Sequence, residues 1–384
     1  MPDQTLYLDH ASTSPLRPTV KQCVTEALDI YGNPSSLHHL GMIAETRLSK
    51  ARAQVLAALG ARNGQLVFTS GGTEANNLAI LGSAVQLKNR GRHMITTAVE
   101  HPAVLEPMRQ LERQGWDVTY IAPDANGDIA VSDILQAVRE DTVLVSVMHV
   151  NNETGAIMPV QKLAAQLKAY PKLRLHVDGT QALGKMPLYL GKWPIDLYTV
   201  SAHKIGALKG TGALYVREGL RLSPLVHGGG QEFGLRSGTE NVVGAIAFGL
   251  AAQEVSEHLG DANLAVQHYE QFVAGLRAIP GWTVYQPKTA SFYIVAASLA
   301  GLRGEVIVHA LEAQGLYISA GSACSTAQGT KKRSHVLTAM GVEARQAEAF
   351  VRFSWQPETP WSQLAAALEI VREQTSWLKS MVGV

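Results

Sequence analysis

Lys204 closes the run Val200-Ser201-Ala202-His203-Lys204, where an apolar stretch emerges into Ser, His and Lys. A lysine there can form a Schiff base with a carbonyl compound if burial lowers its pKa; on a solvated loop it is an ordinary surface charge. His176-Val177-Asp178-Gly179-Thr180-Gln181 has the same form. Its Asp178 can pair with a cationic ring nitrogen or cap a helix. Phe68-Thr69-Ser70-Gly71-Gly72-Thr73-Glu74 passes from an apolar run through two glycines into a helical pattern beginning near Thr73. Free amides at a helix start bind anions, and glycines let a phosphate approach the backbone, but an ordinary strand-to-helix turn reads the same way. No Gly-Lys-Ser/Thr follows, so this is not a nucleotide P-loop; Gly-x-Gly-x-x-Gly is absent, so it is not a dinucleotide fingerprint either. Glu100-His101 and Asn151-Asn152-Glu153-Thr154-Gly155 end two further apolar runs. A histidine at such an end can stack on an aromatic ring, move protons, or be purely structural.

The two cysteines differ in setting. Cys324 lies in the small-residue segment Ser319-Ala320-Gly321-Ser322-Ala323-Cys324-Ser325-Thr326-Ala327-Gln328-Gly329, with Lys331-Lys332-Arg333 just beyond. Nearby cations favour the thiolate, which makes Cys324 a candidate nucleophile; a small residue in a tight turn is the plainer alternative. Cys23 falls in a helical pattern with Val20, Val24 and Ala27 and reads as a buried, inert thiol. Two cysteines exclude a disulfide framework and a cysteine-based zinc cluster.

These residues need a scaffold that brings strand ends together. Leu66–Thr69, Met94–Ala98, Val143–Val150, Leu173–Val177 and Leu197–Val200 read as buried strands, rich in β-branched residues and without clean alternation. Between them, Thr73–Leu87 carries Leu78, Leu81 and Val85 on one helical stripe, and Val160–Tyr170 carries Leu163 and Leu167. Asn126-Gly127 marks a turn before a helix over Asp133–Glu140. The alternation predicts parallel βαβ units in a three-layer α/β domain, with ligands outside the carboxyl ends of the strands. Beyond a helix over Val242–His258 the pattern changes. It predicts helices over Leu264–Ala278, Glu305–Gln314 and Pro360–Leu378, and strands over Thr283–Tyr285 and Ser291–Val295. The last helix has Thr359 as its cap and Leu364, Leu368, Val371 and Leu378 as its apolar face. A second, smaller α+β domain is read from about residue 256.

The composition agrees with an enzyme of this size. The chain has 384 residues, 46% of them hydrophobic and 17% charged, with 35 glycines for tight turns. Lys and Arg total 33 against 32 Asp and Glu, so no basic excess points to direct nucleic-acid or membrane binding. No apolar run is long enough to span a bilayer, and Met1–Asp9 has no signal-peptide character. A cytoplasmic protein is expected.

At these positions the sequence closely resembles the cysteine desulfurases, the NifS/IscS-like branch of the fold-type I pyridoxal phosphate enzymes within the class-V aminotransferases. The likeness runs from Tyr7-Leu8-Asp9 to Val351-Arg352-Phe353-Ser354. It includes Phe68–Asn77, Glu100-His101, Met148–Gly155, His176-Val177-Asp178, Ser201–Lys204, Arg236-Ser237-Gly238-Thr239 and Gly321-Ser322-Ala323-Cys324.

The resemblance implies an α/β fold: a three-layer large domain with a mainly parallel sheet (15–255), and a smaller α+β domain (1–14 and 256–384) carrying the cysteine loop. It also implies pyridoxal 5'-phosphate held by Lys204, which later shuttles protons. Asp178 would pair with the pyridinium nitrogen. His101 would stack on the ring and assist proton transfer, Gln181 would meet the ring hydroxyl, and Asn152 would lie beside cofactor and substrate. Gly72, Thr73, Ser201 and His203 would bind the phosphate, with Thr239 reaching in from the other subunit of a homodimer. Arg352 would clamp the carboxylate of L-cysteine. Cys324 would take the substrate sulfur as a persulfide and pass it to an acceptor protein, an iron–sulfur scaffold or a tRNA-thiolating enzyme. No metal is implied.

The sequence departs from the family pattern in places. Ala202 stands where a glycine is commoner, and Ile205-Gly206-Ala207 stands near the usual Tyr-Gly-Pro. The segment Gly329-Thr330-Lys331-Lys332-Arg333 is longer and more basic than in better-known members, and the chain stops near Val384 without the tail some members use to dock a scaffold. Both features point toward a dedicated acceptor such as a tRNA-thiolating enzyme; the basic run faces that acceptor or is a solvated charge run. A selenocysteine lyase, another fold-type I lyase or aminotransferase, and an inactive binding or regulatory relative are the alternatives. Cys324 argues against an aminotransferase, which needs no second nucleophile. Intact Lys204, Asp178, His101, Arg352 and Cys324 argue against an inactive relative.

Overall fold

The computed structural model describes residues 5–321 and 333–382, so Cys324, Lys331 and Lys332 lie outside the described residues. Within that range, short runs of buried aliphatic residues form the strands. In chain order these are β1 (Leu6–Tyr7), β2 (Gln65–Thr69), β3 (His93–Thr97), β4 (Asp117–Ile121), β5 (Thr142–Met148), β6 (Arg174–Asp178), β7 (Leu197–Ser201), β8 (Gly212–Val216), β9 (Trp282–Tyr285), β10 (Ile294–Leu299), β11 (Leu316–Tyr317), β12 (Ser319–Ala320) and β13 (Phe350–Ser354).

A seven-stranded sheet has the order β2-β8-β7-β6-β5-β3-β4. The pairs from β7 through β4 are parallel, as the alternation of strands and helices predicts. Two strands of this sheet are not expected from the sequence pattern. β4 is an edge strand with partly exposed side chains. β8 runs antiparallel to both β7 and β2. It returns from β7 through the short turn that holds Lys204, without a crossover helix, so the βαβ rule does not reach it. Its first residue must be glycine, because a Cβ on Gly212 would stand 2.5 Å from the Gly71 carbonyl carbon.

The helices follow the expected pattern with shifted ends. Gly72–Leu87, Val160–Leu167, Val242–Glu257, Ala262–Arg277, Gly304–Glu312 and Trp361–Val382 are helical, and the helix expected over Asp133–Glu140 is instead Val131–Gln136. The single stripe expected on the helix after β2 is not what the structure has. Ala75, Leu78, Ile80, Ser83, Ala84 and Leu87 are buried around most of its circumference, while Val85 is exposed. This helix lies against β5, β6, β7 and β8 on one side and the helix Pro102–Arg113 on another, which is why no single face could be read from periodicity. Cys23 is half-buried rather than buried, and burial raises its thiol pKa.

A four-stranded antiparallel sheet, β12-β13-β10-β9, and the parallel pair β1-β11 use the later part of the chain together with residues 6 and 7. The strand expected over Ser291–Val295 begins three residues later, at Ile294. Phe272, Trp282, Phe353 and Trp355 pack in a core beneath this second sheet, with Leu364, Leu368, Val371 and Leu378 of the last helix buried as predicted. No described helix is long and apolar enough to cross a membrane.

Candidate active site

The carboxyl ends of β2, β3, β5, β6 and β7 converge on a cavity of about 310 Å³. Gly72, Thr73, His101, Asn152, Asp178, Gln181, Ser201, His203, Lys204 and Arg352 all line it. Strand direction explains the convergence: β3, β5, β6 and β7 pair in parallel, and β2, antiparallel to β8 as β7 is, runs the same way, so all five deliver their C-terminal residues to one edge. Thr239 is exposed and does not line the cavity of its own chain.

Lys204 sits in the tight turn Ala202–Ile205 directly after β7. Gly206 closes that turn at φ +80°, a left-handed conformation that costs glycine little. The Lys204 Nζ donates to the carbonyls of Ala11 at 2.6 Å and Ser12 at 2.8 Å. The lysine is therefore aimed inward rather than solvated on a loop.

Asp178, at the end of β6, is buried. Its Oδ2 accepts from Asn76 Nδ2 at 2.7 Å, and its Oδ1 accepts from the Thr180 N–H at 3.0 Å. Two donors orient the carboxylate from behind. Asn76 is one residue the sequence reading passed over. It is an amide 1% exposed, and its side-chain oxygen has no partner.

His101 caps the helix Pro102–Arg113, its Nδ1 accepting from the Ala103 N–H at 3.1 Å. That bond leaves the proton on Nε2. Burial lowers its pKa, Asp178 opposes the shift, and Lys204 and His335 reinforce it. The imidazole is neutral, with one N–H. His203 is pushed down to about 4 by burial, Lys204 and Lys209, and its Nδ1 meets Thr13 Oγ1 at 3.1 Å.

Arg352 projects from β13 and crosses to the end of β5. Its guanidinium donates to the Asn152 carbonyl at 2.7 Å, to Asp9 Oδ1 at 2.8 Å and to Ser12 Oγ at 2.6 Å, while its buried Nε has no partner. Gln181 Nε2 donates to Ala11 O at 2.8 Å, beside the lysine on the same carbonyl. The segment 9–14 thus touches Lys204, Gln181, His203 and Arg352, and no candidate role had been given to it. It is held in turn by the Ala11 N–H on Ser354 Oγ at 2.8 Å and the Ser14 N–H on the His203 carbonyl at 2.9 Å.

Residues 6–364 match the family model for class-V aminotransferases. A cysteine desulfurase IscS from Dictyoglomus turgidum is 36% identical over 98% of this chain and 96% of its own length. A putative cysteine desulfurase IscS 1 from Bacillus subtilis is 39% identical over 91% of this chain and 93% of its own. The chain belongs to the cysteine desulfurase family. Among solved structures, a NifS-like protein superposes with a TM-score of 0.90 at 33% identity, covering 97% of this chain and 100% of the other. A structure described as SspA in complex with cysteine gives a TM-score of 0.81 at 31% identity, covering 93% of this chain and 100% of the other.

Cysteine desulfurases are pyridoxal phosphate enzymes of fold-type I, and this chain shares that fold and that cofactor dependence. The residues present fit the cofactor. The Ser201 hydroxyl is buried without a partner at the start of the Gly72 helix. A Cβ on Gly72 would stand 3.2 Å from Thr180 Oγ1 and 3.5 Å from Ser201 Cβ, so a side chain here would crowd this approach to the helix amides. A carboxylate with its own donors, a neutral histidine and an inward lysine complete a set suited to a cationic ring, its flat face and its aldehyde.

Glu100, next to His101, has no exposed surface. Its Oε1 accepts from Thr97 Oγ1 at 2.7 Å and from the Met148 N–H at 2.9 Å, tying β3 to β5, while Oε2 has no partner. Burial pushes its pKa up to about 8, against the two hydrogen bonds and helped by Asp178. The folded chain therefore holds a proton that the unfolded chain releases above its ordinary value of 4.5. Stability contributed by this group falls as pH rises from about 4.5 to about 8 and levels off above that. Glu100→Gln cannot ionise and keeps the Oε1 acceptor. Its melting temperature is expected to gain on the wild type across that window, and thermal scans showing parallel pH dependence for both proteins would refute the protonated assignment.

Proposed function

We propose that this enzyme removes sulfur from L-cysteine, yielding L-alanine and a persulfide on Cys324 that is passed to an acceptor protein for tRNA thiolation or iron–sulfur cluster assembly. The observation that carries the proposal is the meeting of Lys204, Asp178 and Arg352 in one cavity. A cysteine-bound relative supports the substrate.

Bound pyridoxal phosphate would supply an electron sink for charge developed at the substrate α-carbon. The chain's residues do the rest. Asp178, held by Asn76 and Thr180, keeps the ring nitrogen protonated. The Arg352 guanidinium receives the substrate carboxylate. Lys204 would remove the α-proton, and the neutral His101, which lines the same cavity, would relay it. The Cys324 thiolate attacks the substrate sulfur: an S–S bond forms, the substrate C–S bond breaks, and its electron pair passes to the amino-acid skeleton, which takes up a proton and leaves as alanine.

The domain division at 15–255, with 1–14 and 256–384 forming the smaller unit, belongs to the same reading. So does a homodimer, which the exposed Leu28, Tyr31, Met42 and, at 95% exposure, Leu37 support; Thr239, proposed to reach the other subunit's cofactor, is exposed as well. Arg333 of the basic run is paired with Glu348 at 2.8 Å. An acceptor docking there would meet a partly neutralised surface. The test is incubation with L-cysteine without reductant, measuring alanine and the mass of the Cys324 peptide. Alanine together with a gain of one sulfur is expected; alanine with an unchanged Cys324 peptide would overturn the persulfide.

A further inference from the structure

Beside the main cavity lies a second space of about 410 Å³, reached past Ser12, Gly72, Thr73, Ser201 and His203, which line both. Among the described residues that line it, Lys209 is the lysine or arginine. It follows the Lys204 turn by five residues and is exposed. We propose that Lys209 is the counter-cation of the cofactor's phosphate. The inference rests on placing that phosphate at the start of the helix Gly72–Leu87.

A phosphate monoester carries about −1.5 to −2 at neutral pH. The helix start offers a partial charge of about +0.5, and the unpartnered Ser201 hydroxyl offers one donor and no charge. His203 holds its Nδ1 on Thr13 Oγ1 at 3.1 Å, and burial with Lys204 and Lys209 nearby disfavours its charged form. Lys204 is engaged with the Ala11 and Ser12 carbonyls, and Arg352 with Asp9. The remaining charged group on this wall is an anion, Glu74. Its carboxylate accepts from the Ser70 N–H at 2.7 Å and from Arg236 Nε at 3.0 Å, so its charge is answered inside the protein. Lys209 supplies the missing full positive charge. Its three donors on a flexible stem suit a phosphate that is otherwise held by directional amide and hydroxyl contacts.

The experiment compares binding of pyridoxal phosphate and of pyridoxal, which lacks the phosphate, to full-length protein stripped of cofactor. Binding is followed by absorbance for wild type, Lys209→Ala, Lys209→Arg and Thr73→Val. Lys209→Ala is expected to weaken pyridoxal phosphate about tenfold or more, the size of a hydrogen bond to a charged group, while leaving pyridoxal unchanged. Lys209→Arg should restore most of the loss. Equal binding of pyridoxal phosphate by Lys209→Ala and wild type overturns the proposal, and so does an equal loss for both ligands. Thr73→Val separates the two layers of inference. If it weakens pyridoxal phosphate selectively and Lys209→Ala does not, the role of Lys209 alone is wrong. If neither variant is selective, the phosphate lies elsewhere and both placements fail.

Discussion

Replacing Lys204 with alanine is expected to abolish the visible absorbance of the lysine-bound cofactor and to lower alanine production by about 10³-fold or more, the scale of losing both a covalent anchor and a proton carrier. The fold should survive. The Ala11 and Ser12 carbonyls lose a donor, but Gln181 still donates to Ala11 O and the Ala11 N–H still reaches Ser354. Circular dichroism and melting temperature should therefore stay near wild type while the spectrum changes. Lys204→Arg is the sharper control: it keeps a cation near those two carbonyls and cannot form the same adduct at neutral pH. A Lys204→Ala protein that still shows the bound-cofactor band would remove the lysine from its proposed role.

Replacing Cys324 with serine should give the opposite division of effects. Cofactor absorbance is expected to match wild type, because no cofactor contact is assigned to this residue. Alanine formation should fall by at least about 10²-fold, since a serine hydroxyl is not ionised at neutral pH and is a poor nucleophile toward sulfur. Mass spectrometry should find no persulfide at position 324. Full desulfuration of L-cysteine by Cys324→Ser would falsify the nucleophile assignment while leaving the cofactor assignments standing. The two variants together thus distinguish loss of the cofactor anchor from loss of the sulfur carrier.

Much of this cavity was legible because its residues occupy strand ends. A run such as Leu197–Ser201 announces itself by buried β-branched and aliphatic residues, and the polar residues that follow must emerge at the sheet edge. Lys204, Asp178 and His101 were found that way. Asn76 was not, because its partner Asp178 lies 102 residues further along the chain and no local pattern encodes that bond. The segment 9–14 was missed for the same reason. Asp9 and Arg352 are 343 residues apart, and the short run His10-Ala11-Ser12-Thr13 has neither helical nor strand periodicity. Glu100 was read together with His101 as a strand end, yet its part in joining β3 to β5 depends on the Met148 amide across the sheet. The antiparallel β8 escaped because direction is set by the connection, and the ten residues between β7 and β8 hold the short Lys204 turn in place of a crossover helix.

The hold that residues 9–14 keep on Lys204 and Arg352 also bears on how the molecule comes into being. The segment is synthesised before the lysine, and the lysine before β13. Until Ser354 is available to receive the Ala11 amide and Arg352 to receive Asp9, that early segment lacks the late partners that hold it over the pocket. Full assembly of the pocket thus has to wait for β13. A nascent chain with its main sheet already formed would still lack the complete site, so finished architecture and catalytic competence arrive together.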